Sequence, residues 1–198
     1  MAEILVKVTG DGLPKLNRAL DELGKETNAH RAYRIAVNRV GSKAWTATRR
    51  TLAKQVGLTQ ANLKKYGRIQ VTKANYRDLA FTVTATGKPV PLKAFGAKQF
   101  AFGVRAKPWG KSQRFPGAFI FGGNFKSGKF VGGGHVFKNT GGANSKSGRN
   151  NAIEMMYGPS IPKEMVKEAS AESWQSFGPD LQREAERTLT KITDGVIG

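Results

Sequence analysis

Residues 28–55 read NAHRAYRIAVNRVGSKAWTATRRTLAKQ. Tyr33, Val37, Val40, Ala44, Ala47 and Leu52 recur at helical spacing and share one face, which Ile35, Ala36 and Trp45 widen. The pattern predicts a long amphipathic helix. Gly41 either weakens its middle slightly or lets a neighbour pack close there. Around the other side lie Arg31, Arg34, Arg39, Lys43, Arg49, Arg50 and Lys54, with no acid in the stretch to pair with any of them. Unpaired like charges at helical spacing are mildly destabilising. A partner must therefore supply the countercharge, or water and salt must screen it.

The flanking segments supply strands and shorter helices. Glu3 to Val8 reads as a short strand ended by Gly10-Asp11-Gly12, and Leu13, Leu16, Leu20 and Leu23 mark one stripe of a helix. Thr59 is placed to cap a short helix that Gly67 ends. From Arg68 the period changes to two. RIQVTK and DLAFTVTATG form a hairpin turned at Ala74-Asn75, with Phe81, Val83 and Ala85 on one face. KQFAFGVRAK (98–107) reads as one strand with Phe100, Phe102 and Val104 on one face; FPGAFIF (115–121), HVFKN (135–139) and AIEMMYG (152–158) read as others. The segments 122–134 and 140–151 are irregular, the second a flexible Gly-rich loop. A helix is expected from Ile161 to Phe177. Gly178-Pro179 breaks it and starts another, carrying Leu181, Ala185, Leu189 and Ile192.

The expected fold class is α+β: an antiparallel sheet packed against the long helix of the N-terminal half, with C-terminal helices. At 198 residues the chain fits a single domain over 1–198.

Charge is distributed very unevenly. Residues 27–153 contain 24 Lys and Arg but a single acid, Asp78. That central segment is net +23, whereas 1–26 is −1 and 154–198 is −3, giving +19 for the chain. Such self-repulsion costs stability unless a polyanion or an acidic surface offsets it. The chain has no Cys, which excludes disulfide scaffolds and thiolate metal sites. Its start, MAEILVKVTGDG, lacks the pattern of a signal peptide. No stretch approaches the roughly 18 uncharged apolar residues of a membrane span, so no membrane partner is expected.

Little in the sequence points to catalysis. Gly123-Asn-Phe-Lys-Ser-Gly128-Lys129 imitates a phosphate-binding loop, but Phe130 stands where Ser or Thr would hold magnesium. His30 and His135 are the only imidazoles, and Asp78 the only central carboxylate. A catalytic triad would have to use Asp78 or a terminal acid and no nucleophile-elbow motif appears, while a two-metal carboxylate site would need more central acids than Asp78. The chain is therefore expected not to be an enzyme, and no cofactor or metal is expected. Aromatics interleave with bases at Lys98, Phe100, Phe102, Arg105, Lys107, Trp109, Lys111, Arg114 and Phe115, the composition of a stacking platform. Phe100 and Phe102 are, however, spaced as core residues of a strand.

The segment RAYRIAVNRVGSKA (31–44) resembles the early helix of the phage minor tail protein Z family, the lambda-type tail completion proteins. Further likenesses follow in order: a basic, acid-poor stretch, PGAFI (116–120), a Gly-rich turn before GHVFK (134–138), and YGPSIPKEM (157–165) leading into a C-terminal amphipathic helix. The resemblance implies a structural protein of a long-tailed bacteriophage or prophage, assembled in the host cytoplasm and located in the virion at the head-proximal end of the tail. Such proteins complete the tail for head joining and help to position the genome end. The implied partners are tail terminator, tail tube and head-tail connector proteins, with the DNA end as a further contact, in a symmetric homo-oligomeric ring. The seven helix cations Arg31 to Lys54 are the expected electrostatic surface. The alternative is a non-viral basic protein that binds DNA or RNA.

Overall fold

The computed structural model describes residues 2–6, 26–120, 133–142 and 152–192. The leucine stripe of 13–23, the 123–129 loop and positions 143–151 of the Gly-rich segment lie outside them. The protein is α+β, with a long helix in its N-terminal half, small antiparallel sheets and C-terminal helices. Its contacts divide it into two compact units, each drawn from separated parts of the chain.

The first unit comprises 1–51, 69–86 and 165–198. It contains most of helix α1 (Glu26–Val56) and a sheet of β1 (Ala2–Val6), β2 (Ile69–Thr72) and β3 (Phe81–Ala85). β3 lies in the centre, antiparallel to both neighbours. The expected hairpin forms, and Phe81, Val83 and Ala85 are buried on one face.

Phe81 determines how this sheet meets α1. A Cβ built on Gly41 would lie 2.4 Å from Phe81 Cγ, so the ring rests on the bare helix backbone. Trp174 packs on the same ring, with centroids 6.3 Å apart. Of the two sequence readings of Gly41, close packing is the one realised.

A second clasp joins α1 to the β2–β3 connection. The Asn38 amide donates to the Ala74 carbonyl at 2.9 Å and accepts from the Ala74 N–H at 2.8 Å. Ala74 is 4% exposed, so this one side chain satisfies a buried peptide that no strand pairs. Asn75 then closes the turn by accepting from the Arg77 and Asp78 N–H groups.

Burial along α1 departs from the single face expected. Ala32, Ala36, Val40, Ala44, Thr48, Leu52 and Val56 are all buried at a strict spacing of four. Each step of four overshoots a 3.6-residue turn by about 40°, so the buried stripe winds around the helix. Ala47 falls off this stripe and is only half-buried.

The second unit comprises 52–68 and 87–164. Here α1 ends with Gly57 at a left-handed φ of 79°. Leu58 N–H bonds back to the Ala53 carbonyl and Gly57 N–H to that of Lys54, closing the helix end as a Schellman cap. Helix α2 (Gln60–Gly67) starts at Thr59, whose hydroxyl accepts from Asn62 N–H as expected. It runs through Gly67, and Arg68 takes the left-handed position instead.

Two sheets follow. β4 (Lys98–Phe100), β5 (Gly103–Ala106) and β6 (Gln113–Pro116) form one; β7 (Ala118–Ile120), β8 (Val136–Asn139) and β9 (Ile153–Met155) form the other. KQFAFGVRAK is thus two strands rather than one, turned at Ala101-Phe102 before Gly103 (φ 138°). Gly117 (φ 69°) likewise divides FPGAFIF into β6 and β7. Gln99 ties the two sheets together. Its amide donates to the Phe100 and Gly103 carbonyls and accepts from Ile120 N–H.

The short motifs of the family resemblance are packing devices in this unit. Ala118 and Ile120 of PGAFI are buried, and Phe119 meets Phe137 at 6.2 Å. In YGPSIPKEM, Gly158 lets the chain cross Phe95, where a Cβ would come within 2.6 Å of the ring. Val90 N–H donates to the Pro159 carbonyl, and Gly158 N–H to that of Val90.

Beyond them the expected single helix 161–177 is two: α3 (Ile161–Met165) in the second unit bar its last residue, and α4 (Glu168–Gln175) in the first. Glu168 has φ 45°, outside the helical range. α5 (Gly178–Ile192) forms where expected, burying Ala185 and Leu189.

Gly41→Ala should gain about 1 kcal/mol of helix propensity but incur an overpacking cost of about 1–3 kcal/mol against Phe81. A lowered denaturant midpoint is the expected result. Asn38→Ala strands both polar groups of the Ala74 peptide and should cost about 1–3 kcal/mol in the same measurement.

Candidate polyanion-binding surface

The seven helix cations do not share one environment. Arg31, Arg39, Lys43, Arg50 and Lys54 are exposed, whereas Arg34 and Arg49 are half-buried. Arg39, Lys43 and Arg50 follow at intervals of four and seven and form one stripe. Arg31 and Arg49 are 18 residues apart, five full turns, and share a second. Lys54 belongs to the second unit.

Two of the seven are engaged within the first unit. Arg39 is ion-paired and hydrogen-bonded to Glu184 of α5, 145 residues away in sequence. The Arg34 guanidinium lies 4.4 Å from the centre of the Tyr76 ring, a cation–π contact that braces the turn already held by Asn38. The absence of acids within 28–55 gave no sign of the Arg39 pairing, because the acid comes from the far end of the chain. Arg31, Lys43, Arg49 and Arg50 make no ion pair with a described acid. The Arg49 Nε is buried with no hydrogen-bond partner among the described residues.

Glu184 is 9% exposed and sits in a positive field. Its hydrogen bond from Arg39 holds its pKa below the usual glutamate range, against the opposing effect of burial; the charges of Arg39, Arg187 and Lys43 act in the same sense as the bond.

A second basic cluster lies in the second unit, on β4–β5–β6. Lys98 is directly opposite Arg105, and Arg105 directly opposite Arg114. Cross-strand partners project to the same face, so three cations form one row. Arg105 lies over Phe100 at 4.6 Å, and Arg114 over Phe102 at 5.2 Å. The two rings stack at 5.4 Å. Phe102 is 38% exposed, so it is not the core residue that its alternation suggested. The hairpin turn at Ala101-Phe102 removed it from the buried face. The interleaving of bases and aromatics was visible in sequence, but the row was not, because it depends on strand register.

The remaining chemistry-bearing residues fall in both units. Asp78 is exposed in the β2–β3 turn of the first unit. His135 precedes β8 in the second; desolvation, then the charge of Lys93, lowers its pKa. Among the described residues no three His, Asp or Glu side chains gather as metal ligands. No described helix is long and apolar enough to cross a membrane.

The depressed pKa of Glu184 has a definite sign for stability. A carboxylate with a lower pKa folded than unfolded stabilises the fold above its unfolded pKa, about 4.3, and that contribution is lost as pH falls through the folded value. Glu184→Gln should therefore be less stable than wild type at neutral pH, by about 1 kcal/mol for a pair whose arginine is half-exposed. The difference in melting temperature should shrink steadily on acidification.

No family model matches the chain, and neither a curated protein nor a solved structure is significantly similar to it.

Proposed function

We propose that the protein is a structural tail-completion subunit at the head-proximal end of a bacteriophage tail, supporting head–tail joining and positioning of the genome end. The observation that carries this reading is the central segment with 24 bases and one acid, together with exposed helix cations that have no described acidic partner. A subunit seated against DNA or an acidic ring tolerates such a field, because the neighbour neutralises it. The ordered set of family-like segments supports the same reading. They span both compact units, and PGAFI and YGPSIPKEM each include buried residues. In this reading the protein is not an enzyme, it forms a symmetric homo-oligomeric ring, and its partners are tail terminator, tail tube and connector proteins.

The test uses exposed cations, so that folding is spared. Replacing Arg31, Lys43, Arg50 and Lys54 together by alanine in a phage that depends on this chain should cut infectious yield sharply, with heads and tails accumulating unjoined. An unchanged yield would overturn the role of this surface. A non-viral nucleic-acid-binding protein would instead leave particle assembly indifferent to loss of the whole gene.

A further inference from the structure

We propose that the outer face of β4–β5–β6 is a binding site for the phosphate backbone of nucleic acid, with Arg105 and Arg114 as its clamp. The site is built from residues other than the helix cations and does not rest on the tail reading.

Register and exposure define the face. Lys98, Arg105 and Arg114 stand in direct cross-strand register, joined on that face by Phe100, Gly103 and Pro116. The opposite face holds Val104 and Ala106, which are buried. Like charges directly opposite one another in a sheet are destabilising, yet three occur in succession. None of the three makes an ion pair with a described acid. None could be served locally, since 87–153 contains twelve bases and no acid. An external anion is what relieves the repulsion.

The aromatic rings determine what kind of anion fits. With Phe100 and Phe102 stacked on each other, Arg105 and Arg114 each lie against a ring. A guanidinium held against a ring loses little further freedom on binding and still offers its N–H edge to oxygen. With an arginine against each ring, Phe100 and Phe102 act as supports for the guanidinium groups. Contact is thus with phosphate and not with sequence. Adjacent strands are about 4.8 Å apart, so the row extends about 10 Å, or about three phosphates of one strand at about 3.4 Å of axis each. A partner protein would present both signs of charge, and this face offers nothing acidic to receive a partner's lysines. A nucleic-acid backbone presents anions alone.

Binding of the full chain to a labelled duplex of arbitrary sequence, followed by fluorescence anisotropy across a salt series, tests the proposal. The expected result is sequence-independent binding that weakens with salt. In Arg105→Ala/Arg114→Ala, the slope of log affinity against log salt should become shallower by about 1.8, two phosphate contacts' worth. Arg105→Lys/Arg114→Lys keeps both charges, so it should retain the slope while binding more weakly; it also serves if the alanine variant fails to fold. An unchanged slope in the alanine variant, or no binding at low salt, overturns the proposal. So does tighter binding of polyglutamate than of DNA that is lost in the same variant, which would identify an acidic protein as the partner. Because the readout is binding in solution rather than particle yield, its failure is distinguishable from failure of the tail reading.

Discussion

The contact of Phe81 with Gly41 is the constraint around which the first unit is arranged. A fully buried ring at the start of the central strand occupies the space where a helix side chain would stand. The small, buried alanines at positions 32, 36 and 44 keep the neighbouring turns of α1 slim. Close approach of sheet to helix then brings the Ala74 peptide within reach of Asn38 and the turn's Tyr76 within reach of Arg34. Packing, backbone satisfaction and the placement of a cation meet on the same stretch of α1.

Electrostatics in this protein is a matter of partial repair. The acids are confined almost entirely to the chain ends, and folding returns one of them, Glu184, to the long helix. Glu184 serves Arg39 while Lys43 and Arg187 also act on its charge, leaving that neighbourhood positive. In the second unit Arg105 and Arg114 make no ion pair with a described acid and are steadied by aromatic rings instead. Rings fix where a guanidinium points, but they do not neutralise it. Both units therefore keep an excess of positive charge at their surfaces, which is the property that the proposed partners, anionic in each case, would use.

Glycine has a similar double role. Gly103 and Gly117 adopt left-handed backbone geometry and cut two apparent strands into four, and the first of these cuts places Phe102 at the surface beside Arg114. Gly41 and Gly158, by contrast, are needed for the space they leave above an aromatic ring. Turn formation and close approach are distinct demands that the same residue meets, and only the surroundings tell which applies.

The sequence by itself determined the α+β class, the long helix, the β2–β3 hairpin with its buried Phe81, Val83 and Ala85, the Thr59 cap and the concentration of positive charge. Each of these rests on local periodicity, on a single side chain's reach or on composition. Tertiary structure alone decided that Arg39 has an acid and Lys43 has none to itself, that Lys98, Arg105 and Arg114 form a row, and that the buried stripe winds around α1. Those outcomes depend on strand register and on contacts between residues up to 145 positions apart. No local pattern encodes them, because the energy that selects them arises only when distant segments are packed together.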